Sequence, residues 1–125
     1  APGKSRFSSV APSIVFKGDK PFLLIGAPGG TYIAMGVLQG ILNVLDFGMD
    51  AAEAVAAPRF SATSDIIEIV NRIPRYVQAE LEADGYAFRR YPLNFHFAGV
   101  HAIRITANGV DGGADPGRDG MALTV

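Results

Sequence analysis

The stretch Phe22–Leu45, FLLIGAPGGTYIAMGVLQGILNVL, decides the fold of this 125-residue chain. It opens on four consecutive apolar residues, Phe22-Leu23-Leu24-Ile25. A short run that is apolar at every position predicts a central strand covered on both faces. The run breaks at Gly26-Ala27-Pro28-Gly29-Gly30 and resumes with helical periodicity. Ile33, Val37, Leu38, Ile41, Leu42 and Leu45 form the predicted apolar face, with Gln39, Asn43 and Asp46 opposite. Gly36 and Gly40 lie one turn apart, and each costs a helix about 1 kcal/mol relative to Ala. They predict a close contact of this helix against the sheet.

Outward from this stretch the signals are shorter. Upstream, Ile14-Val15-Phe16 and the centre Gly18-Asp19 predict a hairpin into Phe22. Downstream, Asp50 and Glu53 have capping-box spacing, and Ala51 to Ala57 favours helix until Pro58. Ile66 to Val70 predicts a strand; Pro74 opens a half-exposed helix through Val77 and Leu81 that Gly85 ends. Val100 to Thr106 predicts a strand, and Asn108-Gly109 a turn into another. Asp111 to Asp119 is expected to be a loop, and Met121 to Val125 a closing strand. The fold class is α+β, one domain or domain fragment over residues 1–125, without internal repeats.

Composition narrows the function classes. With 49% hydrophobic and 18% charged residues the chain has the makeup of a globular domain. The net charge of −1, with eleven Lys and Arg scattered along the chain, argues against nucleic acid as a partner. No cysteine is present, which removes disulfides and thiolate metal sites and leaves the compartment open. The apolar window Tyr32–Leu45 falls short of the roughly 20 residues that span a bilayer, so it is expected to be a buried helix. The N-terminus has no apolar signal core and begins without Met, as a processed or trimmed fragment would.

Chemistry is concentrated at the glycine turn. A strand that ends in glycine-rich backbone and feeds a helix presents free N–H groups near the positive end of a helix dipole. Such a place suits a phosphate, a carboxylate or the oxyanion of an attacked amide. A Walker loop needs Lys after its last Gly, whereas Thr31-Tyr32 follow Gly30; the spacing of Gly26, Gly29 and Gly30 also fails the dinucleotide pattern. The local pattern leaves a structural turn and an anion site both open. Ser8-Ser9 offers two adjacent hydroxyls able to donate to a carboxylate, although Ser pairs more often cap or bound turns. His96 and His101 stand in no recognisable catalytic or metal-binding context, so no metal or cofactor is expected.

Four motifs in order, Ser8-Ser9-Val10-Ala11-Pro12-Ser13-Ile14-Val15, Pro28-Gly29-Gly30, Leu42-Asn43-Val44-Leu45-Asp46-Phe47-Gly48-Met49 and Ala56-Ala57-Pro58-Arg59-Phe60, resemble the γ-glutamyltransferase small subunit. A fifth, Gly113-Ala114-Asp115-Pro116 with Arg118-Asp119, resembles that family's C-terminal Asp-Pro-Arg loop. The resemblance implies the C-terminal part of an N-terminal-nucleophile hydrolase, an αββα sandwich of antiparallel sheets flanked by helices. It implies that Gly29 and Gly30 form an oxyanion hole through their N–H groups and that Ser8 and Ser9 bind a substrate α-carboxylate. In the family a newly exposed Thr attacks the γ-amide of a substrate such as glutathione, and the acyl-enzyme passes to water or an amino acid.

That Thr lies well upstream of the Ser pair in the family, while seven residues precede Ser8 here. The expected partners are therefore the large subunit and the N-terminal part of the small subunit of one precursor, with no catalysis by this chain alone. Without them it is expected to expose apolar faces and to require them or to self-associate. A periplasmic or extracellular location follows from the resemblance only. Ala27 stands where many members have Ser, and Ser61-Ala62-Thr63 where many have a His-rich run. A glutaryl or cephalosporin-type acylase of the same scaffold is the alternative, and a non-catalytic binding module the second.

Overall fold

A computed structural model describes residues 2–123. The expected hairpin forms: β1 (Ser13–Lys17) pairs antiparallel with β2 (Lys20–Gly26), the register running Ser13 to Ile25 and Ile14 to Leu24. β2 then pairs with β6 (His101–Thr106), and β6 with β7 (Gly109–Ala114), giving an antiparallel sheet of order β1-β2-β6-β7. β2 is thus interior to the sheet as expected, but among the described residues only one of its faces is covered: Leu23 and Ile25 are buried, whereas Leu24 on the other face is partly exposed. β7 occupies the first half of the segment expected to be a loop. Gly113 makes this strand compatible with its neighbour, because a Cβ there would strike the Ala51 carbonyl. The predicted closing strand at Met121 to Val125 does not form at residues 121–123, and residues 124 and 125 lie outside the described part.

Helices α1 (Ile33–Leu45) and α2 (Ala51–Ala56) cover one face of this sheet. α2 starts with the expected capping box: Glu53 N–H donates to Asp50 Oδ1 at 2.8 Å, and Asp50 N–H to Glu53 Oε2 at 3.0 Å. The core joins Leu23, Ile25, Val37, Val44, Val55 and Val100. Gly40 lets α1 lie on β2, since a Cβ there would stand 2.6 Å from Ile25 Cδ1; one at Gly36 would stand 3.0 Å from Ala98 Cβ. These approaches offset the helix propensity that the glycines forfeit.

They also turn the helix. The buried stripe is Ile33, Gly36, Val37, Gly40 and Val44, whereas Leu38, Leu42 and Leu45, expected in the core, are 47%, 39% and 43% exposed. Gln39, expected outside, is buried. Its amide donates to the carbonyls of Met35 and Phe60 at 2.9 and 2.8 Å and accepts from Phe60 N–H at 3.1 Å. Backbone groups of the next strand supply what a buried amide requires, so polarity alone does not expel it.

The second sheet has order β3-β4-β5, from β3 (Phe60–Ser61), β4 (Ile66–Val70) and β5 (Ala87–Tyr91). β3 pairs antiparallel with β4, but β4 and β5 are parallel, joined by α3 (Arg75–Ala83) as a crossover. This one pair departs from the antiparallel sheets expected, because the helical crossover brings β5 back in the direction of β4. β5 was hidden from pattern reading because Arg89-Arg90 interrupts its alternation. The Arg90 guanidinium is absorbed by the Ile73 and Asn71 carbonyls, at 2.7 and 3.2 Å, and by Gln78. α3 is more exposed than expected, with only Val77 and Gln78 partly buried, and Gly85, at φ +95°, ends it with Tyr86 N–H returning to Leu81 O.

The face of the first sheet opposite α1 and α2 is open. Ile14, Phe16, Ile103 and Val110 stand on it, all about half exposed or more, and a trough of about 1030 Å³ is lined by Ile14, Ile103 and Val110 with Met121 and Leu123.

Candidate functional site

The turn between β2 and α1 is held in a shape that only glycine takes easily. Gly29 has φ +146° and Gly30 φ +59°. The two glycines are required for different reasons. A Cβ on Gly29 would stand 2.6 Å from Ala98 Cα, whereas one on Gly30 meets open space, so there conformation decides. The chain then makes a 3₁₀ turn, Gly30–Tyr32, in which Tyr32 N–H donates to Gly29 O at 3.2 Å and Ile33 N–H to Gly30 O. Among the hydrogen bonds of the described residues, none uses the N–H of Gly29 or Gly30 as donor. Both remain free at the head of α1, where negative charge is favoured.

The structure brings Ser9 to this turn. Its Oγ donates to Gly30 O at 2.7 Å, across 21 residues of sequence. Ser8 is exposed, and its Oγ accepts a long bond of 3.4 Å from Val10 N–H. The two hydroxyls therefore differ: the Ser8 proton is uncommitted among the described residues, while Ser9 spends its single proton on Gly30 O. For Ser9 to donate to a carboxylate, its hydroxyl must rotate off that carbonyl.

Behind the turn, two motifs far apart in sequence form a buried ion pair. Arg59 donates through Nη2 to Asp115 Oδ2 and through Nη1 to Val55 O at 2.7 Å, with side chains 5% and 1% exposed. Burial pulls the guanidinium below its ordinary pKa, against the opposing pull of Asp115. Asp115 also accepts from Gly117 N–H at 2.8 Å, shaping the 3₁₀ turn Pro116–Arg118. Arg118 lies over the Phe95 ring and donates to the Phe95 and Phe97 carbonyls, both at 3.0 Å. The segment it grips carries Ala98, which backs Gly29, and Gly99, whose N–H donates to Pro28 O at 3.0 Å. A chain of contacts thus runs from the ion pair through Arg118 and residues 95–99 to the glycine turn.

Pattern reading found no role for His96 or Tyr32, and the structure places them together beside the turn. Tyr32 Oη lies 2.7 Å from Glu68 Oε2 and 2.9 Å from His96 Nε2, partners 36 and 64 residues away. No spacing rule would have linked them. His101 stays exposed on β6. Among the described residues no three His, Asp or Glu side chains converge as metal ligands would.

The sequence pattern of the Gamma-glutamyltranspeptidase family matches residues 1–125. The chain is 36% identical over 127 residues to the glutathione hydrolase proenzyme of Bacillus subtilis, covering 99% of itself and 21% of that protein. It is 35% identical over 114 residues to the acylase ACY 1 proenzyme of Pseudomonas sp. strain SE83, covering 91% of itself and 20% of that protein. A γ-glutamyltranspeptidase from Pseudomonas nitroreducens, solved with L-DON, superimposes with a TM-score of 0.86 at 32% identity, over 100% of this chain and 66% of that one. The chain therefore spans about a fifth of the length of these proenzymes. With its α+β fold, its ordered motifs and these likenesses, the chain belongs to the γ-glutamyltranspeptidase family of N-terminal-nucleophile hydrolases.

Proposed function

We propose that these 125 residues form the oxyanion-binding and carboxylate-binding part of an amidohydrolase that cleaves γ-glutamyl amides. The observation that carries this reading is the bond from Ser9 Oγ to Gly30 O, which makes one site of two separate motifs. A Thr supplied by another segment of the precursor attacks the γ-carbonyl. The oxyanion settles on the N–H groups of Gly29 and Gly30, which no protein acceptor among the described residues occupies. Ser8, with its free proton, and Ser9, after rotation, hold the α-carboxylate and so present the γ-carbon to the nucleophile. Collapse of the oxyanion breaks the C–N bond and releases the amine, which takes up the proton lost by the Thr hydroxyl; the ester then passes its acyl group to water or to an amino acid and frees the Thr.

In this reading the open face of the first sheet receives the second sheet of the sandwich, supplied by the large subunit and the upstream part of the small subunit. Its half-exposed Ile14, Phe16, Ile103 and Val110 support that assignment. The 125 residues alone are then inactive, and tend to self-associate. The likeness to an acylase proenzyme favours a second reading, in which the acyl group is glutaryl or a related β-lactam side chain.

The test is to express the complete precursor, sequence the N-termini of its subunits, and assay a γ-glutamyl anilide against a glutaryl anilide. A Thr N-terminus with γ-glutamyl release is expected. Preference for glutaryl moves the reading to the acylases, and release of neither leaves a binding module.

A further inference from the structure

Tyr32 closes the 3₁₀ turn, and its hydroxyl is where two distant segments meet. A phenol has one proton. With that proton donated to the Glu68 carboxylate at 2.7 Å, the Tyr32 oxygen accepts from His96 Nε2–H at 2.9 Å, which assigns the histidine proton to Nε2. The other Glu68 oxygen accepts from Tyr91 Oη at 2.8 Å, and Arg89 Nη1 stands 4.0 Å away. The Tyr91 ring stacks on His96 with centroids 3.4 Å apart, and Phe97 packs its edge against Tyr32, Tyr91 and His96. Burial and the neighbouring Glu68 push the Tyr32 phenol up to about 12, while the Tyr32 bond holds Glu68 below its ordinary value. At neutral pH the pair is a phenol donor and a carboxylate acceptor.

The cluster bears on the turn along two routes. Tyr32 belongs to the turn's own backbone, its N–H closing on Gly29 O at 3.2 Å. The segment carrying His96 continues two residues to Ala98, which presses on Gly29. One loop therefore holds the turn at both ends, through His96 at Tyr32 and through Ala98 at Gly29. A movement of the phenol passes through two peptide units to the Gly30 N–H.

We propose that Tyr32, clamped by Glu68 and His96, is a positioning residue that sets the angle at which the Gly29 and Gly30 N–H groups meet the oxyanion. The proposal deepens the amidohydrolase reading and rests on it. It is tested in the complete, matured protein with Tyr32→Phe, Glu68→Gln and the double variant. Loss of one charge-assisted hydrogen bond predicts a fall in kcat of about tenfold, with KM changed less than about twofold. Tyr32→Phe removes the phenol donor and Glu68→Gln removes the charge that strengthens the same bond, so the double variant falls no further than the worse single one.

Hydrogen exchange in the peptide spanning Pro28 to Ile33 reads the turn without reference to catalysis. It is expected to speed up about tenfold in each variant, a larger effect than the small fall in the global unfolding midpoint that the loss of one hydrogen bond brings. Unchanged exchange, effects that multiply in the double variant, or a loss confined to KM would each overturn the proposal. Should one variant fail to mature, His96→Phe keeps the stack on Tyr91, loses the Nε2–H, and faces the same exchange test. A wild type that releases neither acyl group defeats the amidohydrolase reading, while the exchange result still decides whether Tyr32 holds the turn.

Discussion

The two sheets carry opposite burdens. The four-stranded sheet is antiparallel, backed by two helices, and holds the buried core of Leu23, Ile25 and Val100. The three-stranded sheet is short, mixed in direction and flanked by a helix with no fully buried residue. Yet the second sheet supplies Glu68, which reaches Tyr32 at the head of the first sheet's helix. The first sheet fixes where the glycine turn is, by packing; the second sets its fine geometry, by one carboxylate. Damage to the first should register as lost stability, and damage to the second as lost turnover.

Predictions follow from that division, all in the matured full-length protein. Asp115→Ala strands the buried Arg59 and is expected to cost about 3–5 kcal/mol, read from urea unfolding. A loss below about 1 kcal/mol would mean the pair is dispensable to the support of the turn. Gly29→Ala forces a side chain against Ala98 and displaces an N–H, so turnover should fall roughly 10²–10³-fold; normal kcat with a normal midpoint would count against the assigned role. Gln39→Ala cuts the tie between α1 and β3 and leaves Phe60 N–H without its acceptor. About 1–3 kcal/mol of stability should go, and an apolar replacement that is neutral would contradict the buried network.

Asp50→Ala removes the cap of α2 and should cost about 1 kcal/mol. The smallest effect is that of pH. Glu68 ionises more readily folded than unfolded, so its contribution is complete above the ordinary value of 4.5 and is lost as acid carries the pH through its lower folded value. On acidification from pH 7 to about pH 3 the wild type should lose more stability than Glu68→Gln. Equal losses would place the carboxylate outside the folded network.

The sequence is legible where a signal is a physical demand on neighbouring residues. The hairpin, the interior position of β2, the Asp50–Glu53 box and the Gly85 stop each rest on residues a few positions apart. The helix face is not legible from apolar periodicity, which scores Leu38, Leu42 and Leu45 by type, while the glycine stripe decides which side can approach β2. β5 leaves no local signal, because its arginines find partners only once β4 and α3 have folded beside it. Of the candidate site, Gly29 and Gly30 stand out through the turn they make and Ser8-Ser9 through family likeness.

The amino-acid sequence by itself determined the class of fold, the family, and the conformational demand at the glycine turn, since period, capping and positive φ are properties of short segments. Only the tertiary structure decided that Ser9 lies on Gly30, that Arg59 pairs with Asp115, and that Tyr32 meets Glu68 and His96. The reason is range. Those partners lie 21 to 64 residues apart, and what joins them is the pairing of strands and the packing of a loop, which no local pattern encodes.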